Sequence, residues 1–353
     1  MVSPPDRGRL GKTAGMTPPA EHRQIRIASL PTGALAPSDF EVVAASTPQP
    51  GPDEVLCRTI AITIGAGQRA GLQGSASYAG APEAGRVMGG SGIAEVVESN
   101  HPDWAPGAVV WAPTGWQEYS VQQVRDLTRV DPQVDAAMHL GALGTNGLTA
   151  YFGITEVGRV QAGETVVVSA AAGSVGHLAG QIAKARGARV IGVVGSPDKA
   201  RMIVDQLGFD AAVNRRSDDF RADFRAATPN RIDVYFDNTG GDILESALFR
   251  MNTRGRIACC GVVSQYDTST PAAGPRGVPG LLVNNRVRME GFLVFDFEPR
   301  YAEARAQLAA WTASGTVKPL VTEYEGLQSA PQAFVDLLAG TTVGTTVVRL
   351  DRG

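Results

Sequence analysis

The hydrophobic positions in the second half of the chain form short, mostly apolar runs separated by helix-length stretches. Six runs rich in Val and Ile predict strands, at 165–169, 188–195, 211–214, 232–238, 255–261 and 287–294. Strands that are apolar at nearly every position are buried on both faces, and the alternation of Val- and Ile-rich strands with helices predicts a parallel sheet covered by helices. This pattern predicts a doubly wound α/β domain of the Rossmann type, with ligands bound beyond the carboxyl ends of its strands.

The first part of the chain has a different pattern, in which short β-rich pieces are separated by Pro and Gly turns. The pieces predict a partly antiparallel β domain with strands at 24–30, 54–63, 92–98, 108–111 and 116–121. The C-terminal run 345–350 predicts a further strand, which we expect to join this domain. The first 20 residues are rich in Pro, Gly and charge, which is typical of a disordered tail or leader. The expected organisation is a tail over 1–20, a β-rich domain over 21–140 plus 317–353, and a Rossmann domain over 141–316.

A tight turn joins the strand that begins at Thr165 to the next helix. Its sequence is Ser-Ala-Ala-Ala-Gly-Ser-Val-Gly, ending at Gly176. Gly173 lets the backbone approach a pyrophosphate and Gly176 lets the helix pack close to its strand, while Ala171 replaces the first glycine of the usual dinucleotide-binding fingerprint. The phosphates would meet the unpaired N–H groups and the positive dipole end of the helix. Small residues at such a turn also serve plain packing, but the next strand completes a βαβ unit of the required length.

The tip of the second strand of this unit indicates which dinucleotide binds. An NAD-selective site places an Asp or Glu there, about twenty residues beyond the glycines, to bond the ribose 2′-hydroxyl. This chain has Gly-Ser-Pro-Asp198-Lys199, in which Asp198 follows a proline suited to a first helical turn. Lys199, Arg215 and Arg216 could together surround a 2′-phosphate, although single surface cations are usually only solvated. We therefore predict NADP(H) as the cofactor.

Composition and charge exclude several classes of protein. The 353 residues carry a formal net charge of −3, with a pI of 5.9 and no basic stripe. This balance argues against binding to nucleic acid or to an anionic membrane surface. No apolar run reaches the length needed to span a bilayer, and no secretory leader opens the chain, so we expect a soluble, cytoplasmic protein.

The cysteine and histidine residues do not suggest disulfide or metal chemistry. The three cysteines form no disulfide framework, and Cys259 and Cys260 are adjacent in a predicted buried strand, where apolar packing explains them. The four histidines are scattered and no Cys-x-x-Cys occurs, so we expect no zinc site. The sequence also lacks the Gly-x-Ser-x-Gly motif of serine hydrolases and a phosphate-binding loop with a lysine, as nucleotide triphosphatases have. Both classes of enzyme are therefore disfavoured.

Four segments of the chain carry distinctive motifs, at 147–153, 162–176, 236–241 and 260–266. Together these motifs resemble the zinc-independent medium-chain reductases, and within them the branch of leukotriene B4 dehydrogenase, prostaglandin reductase, alkenal double-bond reductase and curcumin reductase. The resemblance extends over nearly everything after about Arg23. It implies a GroES-like β-rich substrate domain beside the Rossmann domain and a homodimer formed through edge strands. It also implies NADPH-dependent reduction of a carbon–carbon double bond in a small α,β-unsaturated carbonyl substrate.

The resemblance also implies roles for individual residues. Tyr266 matches a family tyrosine near the reacting carbonyl, where a phenolic O–H stabilises the developing negative charge and can relay a proton. A tyrosine after a strand is equally well explained as a packed aromatic. Tyr78 matches a family loop that could line the substrate pocket. The implied cofactor contacts are Gly173, Ser174, Val175, Gly176, Lys199, Arg215, Asn238, Cys260, Gly261, Ser264, Phe292, Leu293 and Val294.

Several positions depart from the family pattern. The family motif Asp-Pro-Tyr-Met-Arg is Gly-Ala-Gly-Gln-Arg at 65–69, which predicts a smaller and more flexible pocket wall. Arg215 stands where the family has a tyrosine, residues 145–146 replace Met-Pro, and Thr342 and Thr345 replace an Asn and a Lys. The altered pocket leaves an NADPH-dependent quinone reductase as an alternative. A non-catalytic NADPH-binding sensor or structural protein is the alternative from another class.

Overall fold

The computed structural model of the chain describes residues 17–75, 80–270 and 273–350. Tyr78 and most of the predicted N-terminal tail lie outside the described residues. The strands of the described residues are β1 (Glu21–Ile27), β2 (Phe40–Ser46), β3 (Glu54–Ile64), β4 (Gly92–Ser99), β5 (Val109–Ala112), β6 (Tyr119–Gln123), β7 (Thr128–Arg129), β8 (Thr165–Ser169), β9 (Arg189–Val194), β10 (Ala211–Asn214), β11 (Ile232–Asp237), β12 (Met251–Cys259), β13 (Arg288–Gly291), β14 (Val321–Glu325) and β15 (Thr345–Arg349).

The α-helices of the described residues alternate with the strands most regularly in the second half of the chain. They are α1 (Ala66–Leu72), α2 (Ala136–Leu140), α3 (Thr145–Phe152), α4 (Gly176–Ala185), α5 (Pro197–Leu207), α6 (Phe220–Ala227), α7 (Gly241–Leu248), α8 (Val278–Asn285), α9 (Tyr301–Ala313) and α10 (Ala330–Ala339). Helix α3 continues into a π-helical turn, Gly153–Val157.

Strands β8 to β13 form a parallel sheet in the order β10-β9-β8-β11-β12-β13. Numbered along the chain, this order is 3-2-1-4-5-6, which is the Rossmann topology and confirms the predicted fold class. Strand β12 begins at Met251 rather than at residue 255, because the polar stretch Asn252-Thr-Arg254 hides its first residues from the apolar pattern. Strand β13 is confined to four residues. We call strands β8–β13 and their helices the parallel-sheet part.

The remaining strands form the β-rich part, which also agrees with the predicted fold class. Strands β14, β15, β3, β4, β5 and β7 are neighbours in that order in one sheet, with β6 also pairing β3, while β1 and β2 form a separate antiparallel pair. The C-terminal strand β15 pairs antiparallel with β3 and parallel with β14. The sequence pattern does not predict β2, β7 and β14. Strands β2 and β14 are partly exposed and carry polar residues, so that the alternation of apolar and polar positions is weak, and β7 has only two residues.

Each part has its own core. In the parallel-sheet part, inward side chains of β8, β9 and β11 pack against α3, α4 and α9 in one buried cluster. In the β-rich part, Trp116 packs against Phe40 and Phe334, with ring centroids 5.4 and 5.8 Å apart. Helix α10 thereby covers the β-rich part. Within the described ranges, no helix combines the length and apolarity needed to cross a membrane.

Candidate cofactor and active site

The turn between β8 and α4 is shaped by close backbone contacts. Ala170 adopts a left-handed φ of 48°, which reverses the chain directly after β8. A Cβ atom at Gly176 would lie 2.3 Å from the Ala170 carbonyl oxygen, so only glycine fits where the helix begins. A Cβ at Gly173 would lie 3.2 Å from the same oxygen, which leaves little room. The predicted reason for Gly176, close packing of helix and strand, agrees with this geometry.

The N-terminus of α4 presents unpaired donors. The N–H groups of Ser174, Val175 and Gly176 have no acceptor among the described residues, and Val175 gives the helix no side-chain cap. Three orphan N–H groups at the positive end of a ten-residue helix are a ready site for an anion. A pyrophosphate therefore fits this turn.

Three cations gather at the tip of β9. A Cβ atom at Gly195 would lie 3.9 Å from Arg215 Nε and 4.0 Å from Arg216 Nε. Partial removal from water and the charge of Arg216 lower the pKa of Lys199, and the same two causes lower the pKa of Arg215. No carboxylate within the described ranges forms an ion pair with any of the three. A 2′-phosphate would supply the missing negative charge, so the donor set fits NADP(H).

Lys199 also reaches the β-rich part. It lies in the first turn of α5, where its N–H donates to the Ser196 hydroxyl, and its Nζ donates to the carbonyl oxygens of Gly340 and Thr342 at 2.7 and 2.6 Å. An ammonium group has three donors, so one remains for a phosphate. The sequence predicted the position of Lys199 but not this second role.

The loops after β11 and β12 are joined by backbone hydrogen bonds. The N–H groups of Cys260 and Gly261 donate to the Asp237 carbonyl oxygen, and the Ser264 N–H donates to Thr239 at 3.0 Å. A Cβ at Gly261 would lie 3.2 Å from the carbonyl oxygen of Asn238. The structure thus brings the predicted residues Asn238, Cys260, Gly261 and Ser264 together at the carboxyl edge of the sheet.

The side chain of Asp237 is the centre of a buried network that sequence reasoning missed. Its Oδ1 accepts from the Tyr235 hydroxyl at 3.0 Å, the Gly240 N–H at 2.9 Å and the Ser169 hydroxyl at 3.2 Å. Ser169 in turn accepts from the Asn238 N–H, and its carbonyl oxygen accepts from Asn238 Nδ2. Burial raises the pKa of Asp237 and, still more, that of Tyr235. In the sequence, the feature that could have indicated this network is the charged Asp237 at the end of the mostly apolar strand β11.

The predicted nicotinamide contacts at 292–294 differ in how they face the site. The ring of Phe292 packs edge-on against Phe236 and Phe297, with centroids 6.4 Å apart in each pair, and is partly buried against the core. Leu293 is 42% exposed, whereas Val294 is buried. The side chain of Leu293 is therefore the most accessible of the three.

Tyr266 lies where the loop after β12 meets the β-rich part. It follows a 3-10 turn, Val263–Gln265, and its N–H donates to the Val263 carbonyl oxygen at 3.1 Å. The residue is half-buried. The next residue, Asp267, has a left-handed φ of 58° and accepts hydrogen bonds from Arg69 and Leu35 of the β-rich part.

The segment between α10 and β15 covers the glycine turn. The Gly344 N–H donates to the Ala172 carbonyl oxygen at 2.8 Å, and the Ser174 hydroxyl donates to the Gly344 carbonyl oxygen at 3.1 Å. Asn146 Nδ2 donates to the Thr345 hydroxyl at 3.3 Å. Two of the positions that depart from the family pattern therefore contact each other.

The segment at 65–69 is an ordered helical turn rather than the flexible wall that its small residues predict. Gly65 precedes α1, and its N–H donates to Gln68 Oε1 at 2.8 Å. The Gln68 amide in turn donates to the Gly89 carbonyl oxygen at 2.7 Å. The hydrogen bonds of Gln68 fix the backbone of this turn, so the small side chains at 65–67 lie on an ordered main chain.

His177 is a buried link between the glycine turn and the residues before β14. Its Nδ1 lies 2.8 Å from the Gly173 carbonyl oxygen, and its Nε2 accepts from the Leu320 N–H at 3.1 Å. These partners assign the neutral ring with its proton on Nδ1. Burial lowers the pKa of His177 from 6.5 to about 4.

We expect the free energy of unfolding to fall as the pH drops from 6.5 to about 4, because His177 gains its proton more readily in the unfolded chain. The pKa of His177 is lower in the folded protein than in the unfolded chain. The stability that comes from the neutral, buried ring is therefore complete above the unfolded pKa and is lost as the pH falls through the folded pKa. The difference between the two pKa values corresponds to about 3 kcal/mol in the free energy of unfolding. Urea unfolding near neutral pH and at about pH 4 measures this free energy for the unaltered protein and for His177→Gln. The variant should lose correspondingly less stability on acidification. Equal losses for the two proteins would contradict this assignment.

The described residues were also searched for metal ligands. Among them, no three His, Cys, Asp or Glu side chains come together as a set that could hold a metal ion. The thiols of Cys259 and Cys260 lie beside the candidate site, and burial raises the pKa of each to about 12. Both thiols are therefore protonated at neutral pH and are poor nucleophiles and ligands.

Two family models match the chain. One, described as the N-terminal domain of oxidoreductase, matches residues 23–130. The other, described as zinc-binding dehydrogenase, matches residues 174–311. Together they span the β-rich part before α2 and most of the parallel-sheet part.

Individual relatives match over almost the whole length. The chain is 36% identical to NADPH-dependent curcumin reductase of Escherichia coli K12, over 93% of this chain and 97% of that protein. It is 35% identical to NADP⁺-dependent 2-alkenal reductase of Nicotiana tabacum, over 96% and 100%. The crystal structure of CurA from Vibrio vulnificus with NADPH has a TM-score of 0.89 at 34% identity, over 94% and 100% of the two chains. The chain belongs to the medium-chain dehydrogenase/reductase family, in the zinc-independent branch of curcumin, alkenal and prostaglandin reductases.

Proposed function

We propose that this protein uses NADPH to reduce the carbon–carbon double bond of an enal or enone, by hydride transfer to the β-carbon and without zinc. One observation carries the proposal: an anion-binding turn, a cluster of three cations and a tyrosine-bearing loop meet at the carboxyl edge of one parallel sheet. The relatives named as NADPH-dependent curcumin reductase and NADP⁺-dependent 2-alkenal reductase support the same cofactor and reaction class.

The residues present fit the parts of NADPH. The unpaired N–H groups at the start of α4 would hold the pyrophosphate, and the cations at the tip of β9 would hold the 2′-phosphate. The loops after β11, β12 and β13 would lie along the rest of the cofactor. The residues concerned are Gly173, Ser174, Val175, Gly176, Lys199, Arg215, Asn238, Cys260, Gly261, Ser264, Phe292, Leu293 and Val294.

Bound NADPH supplies the hydride. As the double bond is reduced, negative charge develops on the carbonyl oxygen of the substrate, and the hydroxyl of Tyr266 would donate a hydrogen bond to it. The same hydroxyl would relay a proton from solvent to the enolate, which gives the saturated carbonyl product. Because the thiols of Cys259 and Cys260 are protonated, the site favours simple reduction over covalent catalysis.

Quinone reduction is the second candidate, because the small side chains of 65–67 at the pocket wall leave space for a flat ring. Both reactions consume NADPH, whereas a binding-only protein would not. The fall in absorbance of NADPH in the presence of enals, enones and quinones, with product masses, separates the three. We expect turnover of enals or enones to saturated carbonyl products. Turnover of quinones alone, or NADPH binding with no turnover of any acceptor, would contradict the proposal.

We also propose a homodimer that pairs the parallel sheets of two copies. Strand β13 is the outer strand of the described sheet, and an exposed edge of this kind is commonly covered by a second chain. Exposed apolar side chains lie on β13 and on the helix before it, with Met289 and Val283 at 36% and 73% exposure. Light scattering at working concentration should give twice the chain mass, and Met289→Glu should shift it toward the monomer. A monomeric mass for the unaltered protein would rule the dimer out.

A further inference from the structure

A buried ion pair links the two parts of the fold beside Tyr266. Arg69 Nε donates to Asp267 Oδ1 at 3.2 Å, and Arg69 Nη2 donates to the Gly33 carbonyl oxygen at 2.7 Å. The Leu35 N–H donates to the same Asp267 oxygen at 2.5 Å. We call Arg69, Asp267 and the Leu35 N–H the Arg69–Asp267 clamp.

The clamp is an unusual feature for two reasons. The side chain of Arg69 is only 1% exposed, and a guanidinium group is excluded from water at a large cost unless it is paired. Asp267 has a left-handed φ of 58°, a conformation that non-glycine residues adopt uncommonly and Asp more readily than most. Surrounding contacts must therefore hold this conformation, and the clamp supplies them.

We propose that Arg69 and Asp267 are positioning residues, which hold Tyr266 against the substrate pocket. The proposal rests on the role of Tyr266 in the proposed function. Asp267 directly follows Tyr266, so fixing its left-handed backbone fixes the direction in which the tyrosine leaves the loop after β12. Arg69 lies in α1, whose first turn carries the small residues at the positions that match the family's pocket loop. One ion pair therefore sets the spacing between this turn and the phenol.

Two substitutions at Asp267 separate the clamp from the backbone conformation. Asp267→Gly keeps the left-handed φ without strain and removes the acceptor for both Arg69 and Leu35. Asp267→Asn also suits the left-handed region and retains an Oδ1 that can accept both hydrogen bonds. Asn is thus the control that keeps the acceptor and removes only the carboxylate charge, and thermal unfolding of both variants reports the loss of stability that follows.

The kinetic test uses the acceptor that the unaltered protein reduces fastest. We expect Asp267→Gly to lower kcat by about tenfold or more with little change in the Kd for NADPH, because misplacement of a reacting group costs rate. We expect Asp267→Asn to stay within about threefold of the unaltered kcat. In a Tyr266→Phe background, Asp267→Gly should change kcat by less than about twofold, because the group being positioned is gone. An equal fold loss in both backgrounds would overturn the proposal.

Hydrogen exchange tests the clamp without any acceptor. Asp267→Gly should speed hydrogen exchange of the Leu35 amide, because that amide loses its acceptor. Leu35 lies in a separate segment, so the flexibility of the new glycine does not affect it. Asp267→Asn should leave the exchange rate of this amide unchanged. If Asp267→Gly fails to fold, Arg69→Lys replaces it, because a single ammonium group cannot reach both Asp267 and Gly33 as the forked guanidinium does. Unchanged exchange at Leu35 in the variant would overturn the clamp, whereas missing turnover with every acceptor would overturn only the proposed function.

Discussion

Replacing Lys199 and Arg215 together by alanine should weaken NADPH binding by about a hundredfold and leave NADH binding nearly unchanged. Each cation contributes a charge-assisted hydrogen bond to the 2′-phosphate, which NADH lacks. We take about 1.5 kcal/mol for each, the low end of the range for charged pairs, because Arg215 is exposed to solvent. Fluorescence titration of the protein with each cofactor measures the two dissociation constants.

Arg201→Ala is the matched control for this pair. Arg201 lies on the same helix as Lys199 but pairs with Asp198 and is largely exposed, so its removal should affect neither cofactor. Lys199 also donates to the carbonyl oxygens of Gly340 and Thr342, so its removal can loosen that segment. Arg215→Ala alone therefore tests a phosphate contact without this structural effect. Equal affinity of the unaltered protein for NADPH and NADH would contradict the assignment of the cations.

Tyr266→Phe should lower kcat by about a hundredfold and raise KM much less, because one oxyanion donor in a shielded site is worth on the order of 3 kcal/mol. The donor acts mainly when charge develops on the substrate, which is why the effect falls on kcat. NADPH affinity should stay unchanged. Steady-state kinetics with an enone acceptor and a separate cofactor titration distinguish the two effects.

Tyr324→Phe serves as the control for removal of a phenol. The Tyr324 hydroxyl donates to Asp336 at 2.7 Å within the β-rich part, so this substitution should reduce stability without reducing kcat. Undiminished turnover of Tyr266→Phe would show that solvent or another group handles the proton and the charge. The positioning role of Arg69 and Asp267 would then fail as well.

The features predicted from the sequence are those that local pattern determines. The central parallel strands β8, β9 and β11 are mostly apolar runs, and Gly176 is fixed by the short distance between its Cβ position and the Ala170 carbonyl oxygen. The cluster of Lys199 and Arg215 follows from the βαβ order, which brings the ends of β9 and β10 together. The sequence could therefore predict the fold class, the turn and the expected cation cluster.

The remaining features depend on contacts between distant segments, which leave no periodic signal. Arg69 and Asp267 are 198 positions apart, and Lys199 and Thr342 are 143 apart. The inward direction of the Phe292 ring follows from its packing on Phe236 and Phe297, not from its place after a strand. The order of the pocket wall likewise depends on the hydrogen bond from Gln68 to the backbone of Gly89.

The most direct measurement of the central claim follows the hydride itself. The protein is incubated with an enone and NADPH that carries deuterium at the transferable position of the nicotinamide, and the product is analysed by mass spectrometry and NMR. We predict a saturated ketone with one deuterium at the carbon that was β to the carbonyl. An allylic alcohol with deuterium at the former carbonyl carbon, or a saturated product without deuterium, would contradict hydride transfer to the β-carbon.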